Sequence, residues 1–195
     1  MRIVVGLGNE GTAYRGTRHN VGFEVADVLA ERTGAAFSSR GDLGRLAWTA
    51  ACELAGERVV LAKPRTLMNL SGRAAAALCR KFSVDASALI VVYDDADLAL
   101  GRVRVRPEGG TGGHNGLRSL VEVLGTPAFP RVKLGVLGEG RHARELADYV
   151  LDRFLPDERP VVARMVGTGA DAVVAVVGSG IEAAQRAFNG DLAGG

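Results

Sequence analysis

Aromatic side chains are scarce in this 195-residue chain, which has one Trp, three Tyr and six Phe. Small residues must therefore fill much of its interior, with 27 glycines beside many alanines and valines. Cysteine is nearly absent: Cys52 and Cys79 form neither a C-x-x-C pair nor a metal-binding spacing. They read as buried free thiols of a reducing compartment. No charge of one sign dominates. A net charge of +2 leaves any nucleic-acid role dependent on local clusters of arginine and lysine. The three histidines stand far apart and no H-E-x-x-H occurs, so neither a metal nor another cofactor is expected. No G-x-S-x-G elbow occurs and neither cysteine is placed for attack, which argues against a covalent nucleophile. The chain opens without a basic region followed by an apolar run, so no secretory signal is read. The most apolar late stretch, Val161 to Val177, carries Arg164, Asp171 and two glycines. It reads as an amphipathic core helix rather than a membrane span.

What is present is a run of alternating elements. Strands are expected over Arg2–Val5, Leu46–Leu54, Arg58–Ala62, Leu89–Tyr93, Arg102–Arg106 and Arg131–Val136. Ala55-Gly56-Glu57 reads as a hairpin turn between the second and third. Helices are expected over Phe23–Thr33, Gly72–Phe82, Gly116–Leu124, Arg144–Phe154, Asp157–Val177 and Ile181–Phe188. Leu117, Leu120, Val121 and Leu124 recur at i, i+3, i+4 and i+7, the cleanest helical pattern in the chain. Interleaved strands and helices with a hairpin imply a single α/β domain over residues 1–189, with a mixed, mostly parallel twisted sheet and helices on both faces. The run Gly138–Arg144 reads as a mobile surface loop, and residues 190–195 as a disordered tail.

Gly6, Gly8 and Gly11 follow the first strand at the dinucleotide-fingerprint spacing. A nucleotide site would run straight into a helix there, with an acidic residue ending a second strand about 20 residues on. Instead Thr12 to Thr17 has no helical period, and the later region is helical. The fingerprint is therefore a weak signal, and a dinucleotide-dependent oxidoreductase is kept as the less favoured alternative.

Four polar clusters sit at element ends. They are Asn9 with His19 and Asn20; Leu67-Met68-Asn69-Leu70-Ser71-Gly72; Tyr93-Asp94-Asp95-Ala96-Asp97; and Gly112-Gly113-His114-Asn115-Gly116. Each residue alone has a plain structural reading. Asn9 and Asn69 could be turn residues, His19 a structural histidine, and His114 a loop residue. Asn115 could be a helix N-cap, and Ser71 is read as one. Taken together they are the parts of a hydrolytic site. Asp94 directly follows an apolar strand and can orient an imidazole. A histidine so held can take a proton from water. Asparagine amides can donate to a substrate backbone or a developing oxyanion. Arg102, Arg104 and Arg106 alternate with Val103 and Val105, which puts the arginines on one face of a strand. That stripe is either a solvated charged strand or a phosphate-binding face. Few aromatics accompany it, so backbone or shape recognition fits better than base stacking.

In this order the clusters resemble bacterial peptidyl-tRNA hydrolases. The matching stretches are Val5-Gly6-Leu7-Gly8-Asn9, Thr17-Arg18-His19-Asn20-Val21-Gly22, Lys63-Pro64-Arg65-Thr66-Leu67-Met68-Asn69-Leu70-Ser71-Gly72, Asp94-Asp95-Ala96-Asp97-Leu98 and Gly112-Gly113-His114-Asn115-Gly116-Leu117-Arg118-Ser119. The resemblance implies a monomeric cytoplasmic esterase with no cofactor and no obligate protein partner. Its substrate would be the ester between a peptide and the 3′-terminal ribose of tRNA, in chains abandoned by translation. It also implies roles. His19 is the base, Asp94 the carboxylate that orients it, and Asn9, Asn69 and Asn115 hold the peptide and the reacting carbonyl. Tyr14, Met68 and His114 line the site, and Arg104, Arg106 and Lys133 meet tRNA phosphates of the acceptor stem. A non-catalytic RNA-binding relative of the same fold is the alternative, and the retained His19, Asp94 and asparagines argue against it. Two departures stand out: Glu10 where the family usually has proline, and Tyr93 where it often has histidine.

Overall fold

A computed structural model describes residues 1–138 and 145–190. Six strands form one sheet in the order β2-β3-β1-β4-β6-β5. They are β1 (Arg2–Gly6), β2 (Ala47–Leu54), β3 (Glu57–Pro64), β4 (Leu89–Ala99), β5 (Val103–Arg106) and β6 (Arg131–Leu137). The inner pairings β3–β1, β1–β4 and β4–β6 are parallel, while β2 and β5 close the two edges antiparallel. The hairpin joining β2 to β3 turns on two residues, Ala55 and Gly56, both with positive φ, and this twist matches that of the flanking strands.

Why helices must lie on both faces is visible in β1. Ile3 and Val5 enter one buried cluster and Val4 the other, so a strand with period two is apolar on both sides. On one face lie α1 (Val21–Thr33), α5 (Arg159–Ser179) and α6 (Ile181–Phe188); on the other lie α2 (Ser71–Phe82) and α3 (Asn115–Leu124). By length and composition α5 could cross a membrane. Its Val162, Met165, Val166, Ala170, Val173 and Val176 are instead buried in the core beside α1 and the sheet.

Two glycines set the position of the segment that carries His19. A Cβ on Gly6 would lie 2.2 Å from Gly22 O, and one on Gly22 would lie 2.4 Å from Val92 O. The start of α1 therefore sits directly on the carboxyl ends of β1 and β4. The Gly6 of the apparent fingerprint serves this close approach. No helix follows β1 until Val21 except short 3₁₀ turns, and the strand after α1 is the antiparallel edge β2, so the dinucleotide arrangement is absent from the described residues.

Other expectations need correction. β4 does not end at Tyr93 but runs to Ala99, because β6 continues beside it through Asp94↔Leu134 and Asp95↔Gly135. The helix expected over Arg144–Phe154 is only α4 (Leu146–Leu151). Beyond it the backbone is taken by the 16–18 segment: Arg18 N donates to Asp152 O at 3.0 Å and Phe154 N to Gly16 O at 3.3 Å. Ser71 is not an N-cap. It is the first residue of α2, and its hydroxyl donates back to Met68 O at 2.8 Å. Cys52 and Cys79 are free but only half-buried. Most of the loop expected at 138–144 and of the tail expected at 190–195 lies outside the described residues.

Candidate active site

The site stands at the carboxyl ends of the central strands, where open α/β sheets bind ligands. His19 comes from a short 3₁₀ turn, Arg18–Asn20, that precedes α1. Asp94 extends from β4 two residues beyond Val92, the last residue paired with β1. His114 precedes α3. His19 Nδ1 lies 2.8 and 2.9 Å from the two oxygens of Asp94, and His114 Nε2 lies 3.0 Å from Oδ1.

Backbone geometry fixes where the protons sit. His114 Nδ1 accepts from the N–H groups of Gly116 and Leu117, at 3.1 and 3.2 Å. His114 is therefore the N-cap of α3, the role expected of Asn115. A nitrogen that accepts two N–H bonds carries no proton, so the proton of His114 is on Nε2 and points at Asp94. Asp94 in turn accepts from His19 Nδ1–H. The Nε2 lone pair of His19, a residue that lines the cavity, has no partner among the described residues. Burial alone would push the Asp94 carboxyl up, but the two imidazoles beside it prevail and hold it well below the usual carboxylate range. Sequence separation was a poor guide here, since two of the three histidines meet on one carboxylate. The ligand-type atoms of His19, Asp94 and His114 lie within 4.8 Å of one another. Hydrogen bonds account for this grouping, and the proton on His114 Nε2 removes that lone pair from metal binding.

His19, Asp94, His114 and Asn115 line a cavity of about 390 Å³ with Tyr93, Lys133, the glycine loop 110–113 and residues of α4. The Tyr93 ring meets His114 edge-on at 5.1 Å. Burial pushes its phenol up, against the pull of Arg131, so it stays neutral. Asn115 is exposed at the mouth, where its carbonyl accepts from Arg118 and its N–H₂ is left for a ligand.

Asn9 is held on three sides. Its backbone N–H donates to Asn20 Oδ1 at 2.9 Å, and its carbonyl accepts from Asn20 Nδ2 at 3.0 Å. Its side-chain oxygen accepts from Met68 N at 2.9 Å. Only its N–H₂ remains unbonded among the described residues. Asn20, which carried no role in the sequence reading, is thus the clamp on Asn9. Met68 is buried between Asn9 and Gly116, where a Cβ would meet its sulfur at 2.6 Å. Asn69 is exposed on the 3₁₀ turn Met68–Leu70, and Tyr14 is half-buried; neither lines the cavity that holds His19 and Asp94. Asn9 itself lines a neighbouring groove with Asn20. Glu10 turns away from His19: its carboxylate accepts from Trp48 Nε1 and Arg65 Nε, both at 2.9 Å.

A second device missed in the sequence reading braces the histidine turn. The Arg18 guanidinium is buried, donates to Glu158 Oε2 at 2.7 Å and to Arg153 O at 2.8 Å, and lies 4.4 Å from the Tyr149 ring centre. It ties the residue before His19 to α4, one wall of the cavity, and to the start of α5. The basic residues lie on the β5–β6 side. Lys133 donates to Asp95 Oδ2 at 2.6 Å and faces the cavity, and Arg104 is its partner across the strands. Arg104 and Arg106 have no protein partner among the described residues. The two valines, Val103 and Val105, are buried, as the alternation requires.

The fold and this site define an α/β protein with a buried imidazole held on a carboxylate at the strand ends, an arrangement suited to hydrolysis. Comparison with known proteins specifies which kind. Residues 3–193 match the family model of peptidyl-tRNA hydrolase. A peptidyl-tRNA hydrolase of Chloroflexus aurantiacus is 45% identical over 190 residues, covering 97% of this chain and 99% of that one. Another, from Nocardia farcinica, is 49% identical over 184 residues, covering 94% of each. The crystal structure of peptidyl-tRNA hydrolase from Acinetobacter baumannii superposes with a TM-score of 0.87 at 28% identity, over 97% of this chain and 94% of that one. The chain belongs to the peptidyl-tRNA hydrolase family, enzymes that hydrolyse the ester bond of peptidyl-tRNA.

Proposed function

We propose that the chain frees tRNA by general-base hydrolysis of the ester that joins a peptide to its 3′-terminal ribose, with His19 as the base. The observation that carries the assignment is the hydrogen-bond arrangement around Asp94. The N-terminal amides of α3 keep His114 protonated only on Nε2, His114 and His19 both donate to Asp94, and His19 Nε2 alone is left bare. Water bonded to that nitrogen gives up a proton as its oxygen attacks the ester carbon. The tetrahedral intermediate then breaks its bond to the ribose oxygen, which takes the proton back from His19. A positioned base of this kind contributes roughly 10²–10⁴-fold. The free N–H₂ groups of Asn9 and Asn115 suit the peptide backbone or the oxyanion, and Met68 holds Asn9 in place. Asn69, exposed beside Met68, and Tyr14 are reached by a substrate rather than pre-packed, and their roles rest on the resemblance. Arg104, Arg106 and Lys133 form the face for acceptor-stem phosphates.

The resemblance also supports a monomer that works in the cytoplasm without an obligate protein partner; light scattering tests the first point. The reaction is tested by release of N-acetylated amino acids from tRNA, beside unblocked aminoacyl-tRNA, with EDTA present. Cleavage of the blocked substrate alone is expected. Failure to cleave either, with tRNA binding intact, would replace the hydrolase by an RNA-binding relative.

A further inference from the structure

The catalytic residues sit in the middle of the sheet, and the two sides of that centre differ in chemistry. Toward β6 and β5 lie Lys133, Arg104 and Arg106. Toward β3 and β2 lies a second, open groove of about 720 Å³, within the range of ligand sites. Its floor begins at Asn9 and Asn20, the pair that adjoins His19. Its walls carry Phe23, Phe37 and Trp48, three of the chain's ten aromatic residues.

Two cations in and beside this groove are already paired. Lys63 is bonded to Asp27 and lies 4.3 Å from the Phe37 ring centre. Arg65, bonded to Glu10, lies 4.9 Å from that of Trp48. Arg15 is exposed at the rim. One carboxylate is left over. Glu24 is half-buried on α1 beside Phe23, and it has no cationic partner among the described residues. Burial, with the charge of Asp27 behind it, pushes its carboxyl up, which marks it as a group in want of a positive neighbour.

We propose that this groove is a subsite for the peptide upstream of the esterified residue, and that it selects a lysine or arginine side chain there. The aliphatic stem would lie along Phe23, Phe37 and Trp48 and the cationic head would meet Glu24. The peptide would then leave the reaction centre on the β3–β2 side while the tRNA occupies the β6–β5 side. Three features argue for a peptide as the occupant. The groove adjoins the reaction centre, since Asn20, which follows His19 in the chain, lines it and is hydrogen-bonded to Asn9. It lies across the sheet from the arginines. Its lining carries three carboxylates, Glu10, Glu24 and Asp27, against two cations, Arg15 and Lys63, an acidic balance that disfavours a phosphate backbone.

The inference rests on the hydrolase reading, and the experiment separates the two. The kcat/KM values of wild-type protein and of Glu24→Gln are measured on N-acetyl-dipeptidyl- and N-acetyl-tripeptidyl-tRNAs. These carry lysine, norleucine or glutamate in turn at each upstream position, and N-acetyl-aminoacyl-tRNA is too short to reach the groove. At one upstream position lysine is expected to exceed glutamate about tenfold, the scale of one charge-assisted contact. Glu24→Gln should bring that ratio close to one, leaving the norleucine and N-acetyl-aminoacyl substrates unchanged. Phe37→Leu should lower lysine and norleucine substrates alike. Equal rates for all peptides, or a lysine preference that survives Glu24→Gln, would overturn the subsite while the short substrate is still cleaved. Loss of cleavage of the short substrate by wild-type protein would overturn the hydrolase reading and the subsite with it.

Discussion

Replacing Asp94 by asparagine keeps the shape of the site and reverses its proton order. Asp94 Oδ1 faces both His114 Nε2, at 3.0 Å, and His19 Nδ1, at 2.8 Å. His114 cannot adapt, because its Nδ1 is occupied by the two backbone donors at the start of α3. Its Nε2–H therefore demands an acceptor, and the amide oxygen of the introduced side chain must take the Oδ1 position. The N–H₂ group then falls where Oδ2 was, 2.9 Å from His19 Nδ1. An N–H₂ there needs an acceptor, so the His19 proton moves to Nε2, the atom that must be bare. A carboxylate-held imidazole trapped in its wrong tautomer loses roughly 10⁴ in kcat, or about 5.5 kcal/mol at about 1.36 kcal/mol per tenfold. The assay is single-turnover release of N-acetyl-aminoacyl groups from tRNA, beside tRNA affinity and a thermal midpoint that verify the fold. A kcat within tenfold of wild type, or a loss confined to KM, would refute the tautomer argument.

Replacing His114 by leucine should cost about 1 kcal/mol of stability by removing the α3 cap, and should lower kcat less than Asp94→Asn does, because His19 keeps its partner; equal reductions in kcat would give His114 a direct part in the chemistry. The pair Arg104→Ala and Arg106→Ala should raise KM with kcat little changed, and should reduce the salt slope of log kcat/KM by roughly 0.7–0.9 for each phosphate no longer neutralised; an unchanged slope takes these arginines out of the tRNA face. Arg18→Met leaves Glu158 buried without a counter-charge and should destabilise by about 3–5 kcal/mol, with much of that recovered when Glu158→Leu is added; denaturant midpoints of the single and double variants decide it. Acid stability follows from Asp94. Burial raises its carboxyl but the imidazoles lower it further, so its folded value lies below the unfolded value of about 3.9. Its stabilisation is complete above the unfolded value and is lost as pH falls through the interval below it. Asp94→Asn should therefore flatten the fall of the denaturant midpoint below about pH 4, and parallel curves for the two proteins would contradict this.

The sheet was legible in the sequence because its strands are short apolar runs bounded by turns, and each of the six expected strands is present. Where the reading went astray, a long-range contact overrode a local pattern. β4 runs past its apolar run because β6 supplies hydrogen-bond partners to the acidic residues beyond it. The helix after residue 144 stops at Leu151 because the segment before His19 takes the next backbone groups. Neither partner can be found by periodicity, since each lies far away in the chain.

The active site shows the same division more sharply. Residue types and element ends pointed to His19, Asp94 and the asparagines, because a histidine, a carboxylate at a strand's carboxyl end and bare amides are a recognisable set of parts. What joins them is a set of hydrogen bonds, from His19 to Asp94 and from backbone to His114 and Asn9. Taken alone in the sequence His114 reads as a loop residue, and the resemblance adds only that it lines the site. In the fold it caps α3 with one nitrogen and binds Asp94 with the other. The helix thereby dictates the tautomer of His114, while the Asp94 carboxylate fixes that of His19 directly. Asn20 and Arg18 act likewise: they touch no reacting atom, yet one clamps Asn9 and the other braces the turn that presents His19. A water-activating histidine needs a bare nitrogen held still, and in this chain three side chains flanking or facing the site maintain it through main-chain hydrogen bonds.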